Sequence, residues 1–133
     1  MFFVSKKNGE IRHVLDYRGL NAQTQPDKFP LPLIDVVLDK MHGAKIFSRL
    51  DLRNRFGQIL MHPSDIFETF FATPLGRYEW VVMPMGLINA PASFQRVMTD
   101  IFTDLPFVQI YMDDIVVHSP SEILHQIHLR EPF

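Results

Sequence analysis

With 133 residues, of which 47% are hydrophobic and 12% aromatic, the chain has enough apolar content for a packed domain or part of one, which excludes disorder. The absence of cysteine excludes disulfides and thiolate metal sites. A net charge of −2 excludes the overall basic excess typical of a free-standing nucleic-acid binder. Four basic residues nevertheless cluster near the N-terminus: Lys6, Lys7, Arg12 and Arg18. Neither a signal peptide nor a membrane-crossing stretch is recognisable, so we expect an intracellular protein that has no membrane partner.

The apolar spacing and the turn residues predict alternating strands and helices. Strands are predicted at 2–5 and 11–15 around a turn at 7–9, followed by a loop at 19–32, a helix at 31–41 and a strand at 45–52. The remaining predicted elements are strands at 67–73 and 77–82, a helix at 90–105, a hairpin at 107–117 and a helix at 119–129. This order predicts an α+β fold in which helices cover one face of a small antiparallel sheet.

Acidic side chains occur at the ends of two predicted strands. Asp113 and Asp114 lie at the tip of the hairpin, between runs rich in β-branched residues. Asp51 ends the strand at 45–52. If these strands are neighbours, three carboxylates converge, and such oxygen ligands suit two Mg²⁺ or Mn²⁺ ions. The alternative is a surface hairpin with a polar tip, because Asp is common in turns.

Several blocks of sequence carry a family resemblance, including Met-Pro-Met-Gly at 83–86 and Tyr-Met-Asp-Asp at 111–114. In chain order the blocks are 3–9, 14–21, 29–32, 43–53, 76–80, 83–95 and 111–114. Together they resemble the fingers and palm of reverse transcriptases from gypsy-like long-terminal-repeat retrotransposons. The resemblance implies one partial reverse transcriptase domain over 1–133 with a polymerase palm and no thumb. Segments of about 1–44 and 57–83 would be fingers-like, and 45–56 and 84–133 palm-like.

The resemblance also implies an activity, RNA-directed DNA synthesis from deoxynucleoside triphosphates (dNTPs) on a primed RNA or DNA template. Asp51, Asp113 and Asp114 would be catalytic and metal-binding residues, with Asp51 and Asp113 as direct ligands of two Mg²⁺ ions. Phe56 would exclude a ribose 2′-hydroxyl. The other implied contacts are to the dNTP for Lys6, Lys7, Arg12, Met85 and Gly86, and to the primer or template for Gln95, Tyr111 and Met112. A larger polyprotein or a partner chain would supply the missing thumb.

Other interpretations remain open for some of these residues. Phe56 is a core residue in the simplest alternative, and the basic N-terminal residues form a solvated surface. His125 and His128 are three apart on a predicted helix, where a metal site is not expected.

The chain departs from the family pattern at three positions, of which Arg55 and Glu68, together with the missing thumb, favour a catalytically inactive remnant or a palm-fold binding module. Arg55 replaces a glycine and would be strained at a positive φ, Glu68 replaces a lysine, and Phe70 replaces an alanine. The missing thumb and the net charge predict weak nucleic-acid affinity. An unrelated α+β protein is a further alternative.

Overall fold

The computed structural model describes residues 2–5, 9, 11–112 and 114–132, and it describes 2–5 and 11–13 as backbone only. Two compact units divide the chain: Met1–Asp27 with Asn54–Ala90, and Lys28–Arg53 with Pro91–Phe133. Three predicted site residues, Lys6, Lys7 and Asp113, lie outside the described residues. The same holds for Asn8, which with Lys7 belongs to the predicted turn. The antiparallel strands and helices confirm the predicted α+β fold.

Seven strands and four α-helices are assigned among the described residues. In chain order they are β1 (Phe2–Ser5), β2 (Ile11–Val14), α1 (Arg18–Gln23), α2 (Ile34–Lys40), β3 (Ile46–Asp51), β4 (Phe71–Thr73), β5 (Gly76–Tyr78), α3 (Ala90–Ile101), β6 (Val108–Tyr111), β7 (Asp114–Ser119) and α4 (Glu122–Arg130). Short 3₁₀ helices occupy Arg55–Gln58 and Ile66–Thr69. No described helix is long and apolar enough to cross a membrane.

The second unit is built on a three-stranded antiparallel sheet in the order β3-β7-β6. Side chains alternate between its faces, since successive residues of a strand point to opposite sides. The inward-facing Ile115 and Val117 of β7 are almost completely buried. Helix α4 packs against β7 and β3, and α2 packs against β6. These contacts confirm a small sheet that is backed by helices.

Two of the predicted helices are shorter than expected, and the third is shifted. Helix α3 ends at Ile101, and buried apolar residues recur every fourth position, at Phe94 and Met98 within the helix and at Phe102 directly after it. Helix α2 starts at Ile34, three residues after the predicted start. Helix α4 begins after Ser121, whose side chain accepts a hydrogen bond from the Leu124 amide. Ser119 cannot begin this helix because it is the last, fully buried residue of β7.

The predicted loop at 19–32 is wrong in its first part, because α1 covers Arg18–Gln23. Gly19 and Asn21 are poor helix formers, so the local sequence does not indicate this helix. Hydrogen bonds to distant residues stabilise it instead: the Asn21 side chain bonds to the backbone of Gly86 and of Ile88. Tertiary contacts therefore override the local preference.

The strand pair predicted at 67–73 and 77–82 is also too long. Pairing extends only from Phe71 opposite Tyr78 to Thr73 opposite Gly76. The fully buried Thr69 accepts a hydrogen bond on its hydroxyl from the Trp80 amide at 2.8 Å, which replaces a backbone ladder bond. Residues 81–83 pair with a different segment, 59–61, through backbone bonds such as Met83 N–H to Ile59 C=O at 2.8 Å.

Candidate active site

Two of the three predicted carboxylates lie side by side in the second unit. Asp51, the last residue of β3, is directly opposite Asp114, the first residue of β7. Directly opposed residues of antiparallel strands present their side chains to the same face of the sheet. The two strands are therefore neighbours, which was the condition for these carboxylates to converge. Asp113 precedes Asp114 in the chain but lies outside the described residues.

An arginine that the sequence analysis did not single out accompanies this pair. The Arg49 Nε donates a hydrogen bond to Asp114 Oδ1 at 2.9 Å. Arg49 precedes Asp51 by two residues on β3, so both side chains lie on the same face. Its positive charge offsets part of the repulsion between opposed carboxylates. The two-residue spacing from Asp51 predicts only that Arg49 shares its face of the strand; the pairing with Asp114, 65 residues away, is seen only in the folded chain.

A buried glutamine of α3 forms a hydrogen bond to the turn between β6 and β7. Met112 has a φ of 53°, an unusual conformation for a residue other than glycine. Gln95 of α3 is only 2% exposed, and its Oε1 accepts a hydrogen bond from the Met112 amide at 3.0 Å. The amide nitrogen of Gln95 lies 3.4 Å from Thr99 Oγ1. The Gln95 side chain therefore makes its hydrogen bonds inside the protein, and one of them is to the turn that leads to Asp114.

The segment after Asp51 contains Arg55, which would be strained only at a positive φ. Asn54 has the positive φ, 57°, whereas Arg55 does not have a positive φ. Asparagine tolerates this left-handed conformation better than arginine does. A Cβ atom at Gly57 would collide with the Asn54 side chain, so the glycine makes room for the asparagine. Arg55 therefore does not have the conformation in which backbone strain would be expected.

Of the residues that were predicted to bind the dNTP, those that the structure describes belong to the first unit. Phe56 is half-buried within the 3₁₀ helix that follows Asn54. Gly86 has a φ of 100°, which favours glycine, and follows the partly exposed Met85. The backbone of Arg12 is opposite Val4 in the β1–β2 hairpin.

One member of the N-terminal basic cluster is already paired. Arg18 donates to Asp16 through its Nε at 2.9 Å, its Nη2 at 2.6 Å and its backbone amide. The hydrogen bonds from Arg18 lower the pKa of Asp16 from 3.8 to about 2. Such a two-point pair orients the guanidinium toward the carboxylate. Arg18 is therefore paired with a neighbouring carboxylate, while its side chain remains 89% exposed.

The two histidines on α4 form a hydrogen-bonded network with serines. His125 is 6% exposed, and its ring nitrogens lie 2.8 Å from the hydroxyls of Ser48 and Ser119. His128 lies 2.8 Å from the same Ser119 hydroxyl and stacks on Phe107 with ring centroids 3.9 Å apart. These contacts connect α4 to β3 and β7 on the covered face of the sheet. Among the described residues, no group of three or more His, Cys, Asp or Glu side chains could hold a metal ion.

A family model for reverse transcriptase (RNA-dependent DNA polymerase) matches residues 4–132. The chain belongs to the reverse transcriptase family. It is 40% identical to the Transposon Tf2-3 polyprotein of Schizosaccharomyces pombe, over 98% of this chain and 10% of that protein. This reverse transcriptase region therefore spans about a tenth of the length of such curated relatives. The resemblance inferred from the sequence blocks is confirmed.

Solved reverse transcriptase structures share the fold. The protease–reverse transcriptase of prototype foamy virus matches with a TM-score of 0.82 and 31% identity, over 97% of this chain and 17% of that one. A foamy viral protease–reverse transcriptase in complex with an RNA/DNA hybrid matches with a TM-score of 0.80 and 25% identity, over 96% of this chain and 18% of that one. The predicted reverse transcriptase palm fold is confirmed.

Proposed function

We propose that this chain is the carboxylate-bearing part of an RNA-directed DNA polymerase that adds deoxynucleotides to a primer 3′-hydroxyl. The observation that carries the proposal is the direct pairing of Asp51 with Asp114 at the end of the β6–β7 hairpin. Membership of the reverse transcriptase family supports the reaction class. The Tyr-Met-Asp-Asp block at 111–114 provides the third carboxylate, Asp113.

The carboxylate set fits divalent cations. Asp51 and Asp114 offer hard oxygen ligands on one face of the sheet, and such ligands suit Mg²⁺ or Mn²⁺ rather than softer metals. We assign Asp51 and Asp113 as the direct ligands of two ions, with Asp114 beside them. When bound, such ions stabilise the negative charge that develops on the attacking and leaving oxygens.

The reaction forms one bond and breaks another at the α-phosphorus of the dNTP. The primer 3′-oxygen loses its proton and bonds to that phosphorus, while the bond to the bridging oxygen breaks and pyrophosphate leaves. Because little covalent chemistry falls to the protein, its residues act by positioning and charge. Gln95 and Arg49 would serve this purpose by fixing the turn and orienting Asp114.

The remaining roles follow from the family resemblance. Phe56 would exclude a ribose 2′-hydroxyl by the volume of its ring. Lys6, Lys7 and Arg12 would bind the triphosphate, Met85 and Gly86 would line the nucleotide pocket, and Tyr111 and Met112 would contact the primer end. A primed RNA or DNA template is the proposed macromolecular partner, in keeping with the RNA/DNA hybrid held by a similar foamy viral enzyme. A larger polyprotein, as in the transposon relatives, is the proposed source of further domains.

Primer extension tests this function. The purified chain is incubated with Mg²⁺, dNTPs and a primed RNA template, next to an Asp113→Asn variant that was purified in the same way. We expect extension by the wild-type chain and none by the variant, because the variant loses a charged metal ligand. Equal extension by both proteins would indicate a contaminating polymerase.

A catalytically inactive remnant is the second candidate. Glu68 favours it, since a negative charge stands where the family usually has a lysine, and the side chain is exposed. A wild-type chain that is folded by circular dichroism yet extends no primer would establish this alternative. Reversal of the charge by Glu68→Lys would then test whether this position is the cause.

A further inference from the structure

Two asparagine side chains connect residues 21–27 with residues 86–89 through four hydrogen bonds. Asn21 of α1 donates from its Nδ2 to the Gly86 carbonyl at 2.8 Å and accepts from the Ile88 amide at 2.9 Å. Asn89 donates to the Gln25 carbonyl at 3.0 Å and accepts from the Asp27 amide at 2.8 Å. Each side chain uses both its donor and its acceptor, which only an amide of this length can do here.

The Asn21 contacts act on a backbone position with an unusual conformation. Gly86 has a φ of 100°, and a Cβ atom there would lie 3.4 Å from the Tyr17 ring. Tyr17 directly precedes α1 and lies four residues before Asn21. The Asn21 amide donates to the Tyr17 carbonyl at 2.7 Å, so the two side chains lie on the same side of this helical turn. The Tyr17 hydroxyl donates to the Thr69 carbonyl at 3.3 Å. The ring and the amide therefore fix the Gly86 backbone from the same side.

Position 86 matters because the proposed function places the incoming nucleotide there. We propose that Asn21 is a positioning residue for the dNTP: it fixes the orientation of the Gly86 peptide and thereby the shape of the nucleotide pocket. This inference depends on the proposed polymerase function. Asn89 makes the same kind of contacts but to residues 25–27, so it stabilises the neighbouring loop without contacting Gly86.

The two asparagines offer a matched pair of substitutions. Asn21→Asp removes the donor to Gly86 but keeps the acceptor for Ile88, and it places a carboxylate oxygen against a carbonyl oxygen. Asn89→Asp makes the same chemical change against Gln25. Each variant loses one hydrogen bond of similar length, so we expect similar losses of stability in urea denaturation. A merely structural role would affect nucleotide use equally in both variants.

The test measures primer extension by the 133-residue chain as a function of dNTP concentration. We expect Asn21→Asp to raise the KM for dNTP by about tenfold, the effect of one hydrogen bond, with kcat changed by less than about twofold. Asn89→Asp should leave the KM within about twofold of wild type. Equal KM values for the two variants would overturn the positioning role.

Hydrogen exchange separates failure of this inference from failure of the polymerase function. The Ile88 amide should exchange at least about tenfold faster in Asn21→Ala than in wild type, because the substitution removes its acceptor. Equal exchange rates would show that Asn21 does not hold the segment. If Ile88 is protected but the wild-type chain extends no primer, the polymerase function fails and Asn21 is only a structural contact, which also overturns the positioning role.

Discussion

Replacement of Gln95 by methionine should loosen the turn that carries the carboxylates. The side chain keeps its approximate length and shape but loses the acceptor for the Met112 amide, which is 3.0 Å away. The hydrogen bond is only partly buried, since Met112 is 40% exposed, so we expect its loss to lower the free energy of unfolding in urea by about 0.5–1.5 kcal/mol. Met112 has a φ of 53°, and left-handed backbone costs a further ~1 kcal/mol that this hydrogen bond helps to offset.

Gln95→Met should reduce the rate of primer extension by more than its loss of folding free energy alone would explain. Once Met112 relaxes, the backbone that leads to Asp114 moves, and a displacement of about 1 Å at reacting groups can reduce a rate about a hundredfold. We expect a loss of that order in primer extension at temperatures where the variant is fully folded. Faster exchange of the Met112 amide would report the loosened turn directly, whatever the activity.

Two control variants isolate the hydrogen bond. Gln95→Glu keeps an acceptor and should retain protection of the Met112 amide. Thr99→Val removes only the weaker, 3.4 Å contact of Gln95 and should change the free energy of unfolding by less than about 0.5 kcal/mol. The reasoning is refuted if Gln95→Met unfolds at the wild-type urea concentration and exchanges its Met112 amide no faster.

Three further substitutions test individual contacts. Arg49→Gln removes a positive charge beside the carboxylates and should strengthen Mn²⁺ binding, measured by electron paramagnetic resonance, by about fivefold, since an exposed ion pair is worth up to ~1 kcal/mol; unchanged affinity would show that the Arg49 charge does not oppose the cation. Burial lowers the pKa of His118 below its ordinary 6.5, so the unfolded chain binds more protons. Thermal stability should therefore fall as the pH drops below that value, and His118→Gln should remove this part of the loss. Thr69→Val leaves the Trp80 amide without its acceptor and should lower the free energy of unfolding by about 1–3 kcal/mol in urea; a wild-type midpoint would contradict this.

Local sequence pattern was enough to predict the strands that carry the candidate site. The run that follows residue 113 alternates between half-buried and buried positions on β7, and it pairs with β6 from Val108 opposite Val117 to Tyr111 opposite Asp114. Asp51 ends a strand that also alternates, but its position opposite Asp114 is known only from the folded chain. The family blocks then indicated which chemistry these carboxylates serve.

Only the tertiary structure decided features that depend on residues far apart in the chain. Helix α1 is stabilised by Asn21, whose partners lie at Gly86 and Ile88, and no local signal compensates for its poor helix formers. The positive φ at Asn54, rather than Arg55, depends on the space that Gly57 leaves. Helical spacing likewise did not separate buried Met98 from exposed Ile101.

The sequence alone thus determined the fold class, the reverse transcriptase family and the candidate carboxylates, because strand alternation and motif order are encoded locally. The supports of these carboxylates, Gln95 beneath Met112 and Arg49 beside Asp114, became visible only in the folded chain. A side-chain hydrogen bond forms where folding brings two groups within about 3 Å in the right orientation. Sequence separation carries no information about that distance once the contact joins different elements.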